Sequence, residues 1–147
     1  GVQTCALQIF DGDTANDRLL IADEDQRVGS TLREYNLEGM YRAHSLPLFD
    51  ANAEGIALWT CDAGEGYWIG VDQLQPTVFR LFDRATLEPV KTFSGQVVAN
   101  TDGQALYAVG TPRFPAGALY VLHDDKAVAA FDLRDIARTL GLSDRCM

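Results

Sequence analysis

Cysteine and proline are scarce in these 147 residues, three of the one and five of the other. Three cysteines cannot build a disulfide scaffold, and five prolines beside 13 glycines exclude collagen-like and low-complexity chains. Long apolar runs are missing as well: nothing approaches the ~20 residues that cross a bilayer as a helix. The opening Gly1-Val2-Gln3 lacks the basic and apolar regions of a secretory signal. Bases are few, 12 Lys and Arg against 21 Asp and Glu, for a net charge of -9. That surplus repels phosphate backbones and anionic lipid, so neither nucleic acid nor a membrane is expected as a partner. The same carboxylates, gathered in one pocket, can hold divalent cations that turn a positive face to an anionic substrate.

Hydrophobic residues make up 47% of the chain and charged ones 22%, the balance of a soluble domain. Its length lets one domain, residues 1–147, bury roughly two-thirds of its unfolded surface without a structural metal. Within it a pattern recurs. Ala53-Glu54-Gly55-Ile56-Ala57-Leu58-Trp59 and Asn100-Thr101-Asp102-Gly103-Gln104-Ala105-Leu106-Tyr107 each open an apolar run with an acid and a glycine. A second strand follows each, at Tyr67–Gln73 and Ala118–Asp124, and Cys5–Phe10 with Arg18–Asp25 reads as an earlier copy. Third strands fit at Leu32–Tyr35, Thr77–Asp83 and Val128–Phe131, and fourth strands at Tyr41–His44 and Val90–Phe93.

Short antiparallel strands repeating every 48 residues or so predict an all-β fold, a β-propeller with three four-stranded blades at about 3–50, 51–99 and 100–147. Leu133, Ile136, Ala137 and Leu140 fall on one helical face, so a short helix capped by Asp132 and stopped by Gly141 takes the place of the last outer strand. Three blades leave two flanks bare, and propellers typically carry four to eight blades. A homodimer giving a six-bladed ring is therefore expected, with a monomeric β-sandwich as the competing architecture.

The repeats resemble the β-propeller phytases, calcium-dependent phosphatases that hydrolyse inositol hexakisphosphate. The likeness is carried by Leu20-Ile21-Ala22-Asp23-Glu24-Asp25, by Ala53-Glu54-Gly55-Ile56 running to Gly66-Tyr67-Trp68-Ile69, by Gln73 with Phe82-Asp83-Arg84, and by Thr101-Asp102-Gly103 with Phe114–Val121. Ile136–Leu142 is similar to the family's closing helix. Residues 5–142 match only the C-terminal half of such an enzyme.

The resemblance implies a calcium (Ca2+) site formed by Glu24, Glu54, Gln73 and Asp102, inositol phosphate as substrate, and a secreted or periplasmic location. Arg113, His123 and Lys126 are candidate substrate-binding residues, and no catalytic residue is assigned. Secretion in the family also implies a disulfide from Cys146 to either Cys5 or Cys61, a choice the sequence leaves open. Three departures stand out: Gln3-Thr4 where the first acid-glycine pair is expected, Asn52 in place of an acid, and Gln104 in place of an apolar residue. The alternative function is a non-catalytic scaffold, truncated or engineered, that self-assembles into the same six-bladed dimer.

His44 has no second His or Cys at zinc-ligand spacing and reads as a surface residue. Trp59, Trp68, Tyr67, Tyr107 and Tyr120 read as packing between blades.

Overall fold

The structure, a computed structural model, describes residues 9–147, in which three antiparallel sheets follow one another along the chain. The first contains β1 (Phe10–Asp13), β2 (Arg18–Asp23), β3 (Thr31–Tyr35) and β4 (Tyr41–Ser45). The second contains β5 (Ala53–Thr60), β6 (Gly66–Asp72), β7 (Val78–Asp83) and β8 (Pro89–Phe93). The third has three strands, β9 (Gln104–Tyr107), β10 (Ala118–His123) and β11 (Ala127–Asp132), and the chain then enters α1 (Leu133–Leu140). In each sheet the spatial order is the chain order, so each is a plain meander. The described residues are thus all-β apart from one short α-helix and three single 3-10 turns. The first expected strand, Cys5–Phe10, lies outside the described residues up to position 8, and the observed β1 begins at Phe10.

Alternation decides which way each sheet faces. In β6, Trp68 packs with the first sheet, while Ile69 and Val71 pack with the third. β7 does the same with Phe82 on one side and Phe79 and Leu81 on the other. The second sheet is therefore apolar on both faces and sits between its neighbours, as period-two patterning with no polar face requires. Gly70 permits the close approach on the first side: a Cβ there would lie 2.9 Å from the Phe49 ring. Of the aromatics expected between sheets, Trp59 and Trp68 are buried, but Tyr107 is 51% exposed because it lies on the uncovered face of the third sheet.

One ion pair and one covalent bridge add to the apolar contacts. Arg84 donates from Nε and Nη2 to both oxygens of Asp13, at 2.7 and 2.6 Å, joining the second sheet to the first. The same guanidinium holds the Asp13 carboxyl down at about 2. At the other side, Cys61 and Cys146 form a disulfide that ties the chain after α1 to the β5–β6 turn. This decides the open pairing; Cys5 lies outside the described residues. The helix itself is fixed by its ends. Asp132 accepts from the Arg134 N–H, and Gly141, at φ 63°, turns the chain off through the left-handed region. Leu133, Ile136 and Ala137 enter the core shared with the second sheet. Among the described residues no helix is long and apolar enough to cross a membrane.

Candidate functional site

A meander places the start of its first strand beside the end of its second. Ala53 pairs with Asp72 and Gln104 with Val121, so Glu54, Gln73 and Asp102 all fall at one end of their sheets. Glu24 follows β2 at the corresponding end of the first sheet. The first strands are also neighbours, since β5 touches both β1 and β9, and this draws the three ends together. Glu54 has a further device. The β5–β6 register slips between Ala53 and Gly55, leaving Glu54 as the extra residue of a bulge, which re-aims its side chain.

The result is a group of acids that repel one another. Burial, the charges of Glu24 and Asp102, and a close contact with Glu24 raise the proton affinity of Glu54 above the ordinary carboxylate value, with only a 3.2 Å bond from Asn52 Nδ2 opposing them. Asp102 is likewise raised, by burial and then by Asp125 beside it, while the Gln73 amide donates to Asp102 Oδ1. Glu24 and Asp125 are exposed and Glu54 and Asp102 half-buried, whereas the fully buried carboxylates are paired. Asp13 is bound by Arg84, Glu34 by Arg18, and Asp72 by Arg80. Among the described residues no Lys or Arg forms an ion pair with Glu24, Glu54, Asp102 or Asp125.

Carboxylate and amide oxygens are the donors a hard cation takes, and this set offers no sulfur or imidazole ligand, so its chemistry fits calcium. Its placement is looser. Glu24 with Glu54 and Asp102 with Asp125 stand as two pairs, and among the described residues no three His, Cys, Asp or Glu side chains stand as a ready-made metal cage.

The remaining candidates divide by position. His123 ends β10 on the acidic side, and its Nδ1 accepts the Ala99 N–H at 3.2 Å, which leaves any ring proton of the neutral form on Nε2. Lys126 follows in the β10–β11 turn, 76% exposed and paired with Asp124. Arg113 does not join them. It lies in the connection from Tyr107 to Ala118, at the opposite end of the third sheet, with its guanidinium 5.6 Å from the Phe114 ring centre.

Sequence reasoning passed over Asp125. Its signal was the Asp124-Asp125 pair between two apolar runs: both residues adopt positive φ, 50° and 53°, as the central pair of the tight turn that the Lys126 N–H closes on the His123 carbonyl. The first acid-glycine position also moves. Phe10 pairs with Ile21 as Ile56 pairs with Gly70, so by register the counterpart of Glu54-Gly55 is Gln8-Ile9 rather than Gln3-Thr4, with Gln8 outside the described residues. Gln104 is buried, donates to the Ile69 carbonyl at 2.5 Å, and leaves its Oε1 without a partner among the described residues. No protein-family model matches the chain, and a search of the curated proteins finds no match.

Proposed function

We propose that the chain is half of a calcium-dependent phosphomonoester hydrolase of the phytase-like kind, its three sheets being blades of a propeller and its acidic strand ends lying at the mouth of the central channel. The observation that carries this reading is the convergence of Glu24, Glu54, Asp102 and Asp125, with Gln73, on one end of three sheets without an Arg or Lys partner among the described residues. Leaving several carboxylates unpaired at close range costs stability, and a bound cation repays it. Glu24, Glu54, Gln73, Asp102 and Asp125 would hold the calcium. Bound there, it supplies positive charge to the oxygens of a phosphate ester.

The chain's own groups supply the rest. His123 and Lys126 stand at the same rim, where an inositol phosphate substrate would approach. The Cys61–Cys146 disulfide supports a secreted or periplasmic setting. Completing the ring takes three further sheets, supplied by a second copy of the chain or by other blades.

Two measurements test the proposal. Millimolar calcium is expected to raise the melting temperature, by about 2.7 kcal/mol of stabilisation at a hundredfold excess over Kd. Phosphate release from inositol hexakisphosphate is expected with calcium and not with a chelator. A calcium-induced rise without phosphate release, whatever the assembly state, would instead favour the non-catalytic scaffold, a reading supported by the arrangement of the acids as two pairs rather than a closed cage.

A further inference from the structure

The second sheet holds the loop that arrives from the first by a particular clasp. Asp72, at the end of β6 and 0% exposed, accepts the N–H groups of Asp50 and Ala51 at 3.0 and 2.8 Å. Arg80, across the β6–β7 ladder, binds Asp72 through Nε at 2.9 Å and Asp50 through Nη2 at 2.8 Å, and its guanidinium lies 5.2 Å from the centre of the Phe49 ring. Phe49 and Asp50 are thus seated together, the ring under the guanidinium and against Gly70, the carboxylate on its far nitrogen.

The first sheet carries the same clasp on its other, outward face. Arg33 pairs in register with Ile21 as Arg80 does with Gly70, and Asp23 stands two residues on as Asp72 does. Arg33 binds Asp23, yet the two side chains remain 23% and 28% exposed. A concavity of about 410 Å3 lies where the Phe49 ring lies on the second sheet, lined by Ile21, Asp23, Arg33 and Tyr35 among others. Among the described residues no loop of another sheet occupies it.

We infer that the Asp23–Arg33 concavity is a docking seat for a loop of an adjoining β-sheet in which an aromatic residue is followed by an acid, as Phe49 is by Asp50. The inference rests on the reading of the sheets as side-by-side blades, and it narrows what can complete them. A second copy has no such loop to offer at this place, because its third sheet runs into α1 instead of a fourth strand. The seat takes a sheet that keeps its fourth strand and the loop after it.

The chain's own loop provides the probe. Heteronuclear NMR of the full chain, titrated with a synthetic peptide of residues 46–52 (Leu-Pro-Leu-Phe-Asp-Ala-Asn), is expected to give saturable shifts at Ile21, Arg33 and Tyr35 in the millimolar range. Peptides with Phe49→Ala or Asp50→Asn are expected to bind about threefold more weakly or worse, given what one cation–π contact or one ion pair contributes. The Arg33→Gln chain is expected to lose the shifts, and its melting temperature reports whether it has folded. No saturable shift at these residues, equal binding by the altered peptides, or a dimer whose contact shelters Ile21 and Tyr35 from the peptide would each overturn the inference. Failure of the calcium response leaves these shifts untouched, so the two readings fall separately.

Discussion

Single side chains in this protein are stabilised or destabilised by the charges set beside them, and two of them give opposite dependence on pH. Asp13, fully enclosed with Arg84, has its carboxyl lowered from 3.8 to about 2. The stability it contributes is present above the unfolded value and lost as the pH falls through the folded one, amounting to about 2 kcal/mol. Asp13→Asn is expected to lower stability by about 3 kcal/mol, read by urea unfolding at pH 7, because Arg84 is left enclosed without its counter-charge. Glu54 and Asp102 behave in reverse. Their raised carboxyls contribute stability that is complete below the ordinary values of 4.5 and 3.8 and is lost as the pH rises through the folded ones. In chelator at pH 7, Glu54→Gln is expected to melt a few degrees higher than the parent, the gap closing on acidification. In millimolar calcium the order is expected to invert, since the variant has lost a ligand. A variant that melts below the parent in chelator would show that Glu54 is held by contacts other than its acidic neighbours.

At the level of strands and turns, most of the fold was legible because local signals agreed with one another. The apolar runs after Glu54-Gly55 and Asp102-Gly103, the glycine-bearing turns, and the capped Leu133–Leu140 face each appear where the sequence placed them. The shared position of Glu24, Glu54, Gln73 and Asp102 was legible for the same reason, since equivalent strand ends share an end of the sheet. What escaped was settled by pairing rather than by local pattern. The Glu54 bulge is visible only in the β5–β6 register, and Asp125 joins the site only because the tight β10–β11 turn points it back. By sequence Arg113 is a candidate for the substrate beside His123 and Lys126, but the direction of β9 carries it to the far end of the sheet. Gln104, at an inward place on β9, is a local conflict: an enclosed amide oxygen with no partner among the described residues costs about 1–3 kcal/mol. Gln104→Leu is expected to raise the unfolding free energy by about 1 kcal/mol, read by denaturant titration. A loss would mean that its bond to the Ile69 carbonyl outweighs the bare oxygen.

Across the whole molecule, stability depends on the middle sheet being covered on both faces and on the chain end being fastened. The disulfide spans 85 residues of sequence. Closing so long a loop restricts the unfolded chain, and Cys61→Ser is expected to cost about 4 kcal/mol, measured against the parent in denaturant with and without reductant. An equal midpoint in both would show the tail to be held by α1 alone. The bridge also lies beyond the last residue of β5, whereas Glu54 lies near its first, and eight extended residues separate the two by about 25 Å. A bead, dye or fusion partner attached after Met147 would therefore stand at the rear of the molecule, leaving the acidic rim turned toward solution and free to meet whatever is dissolved there.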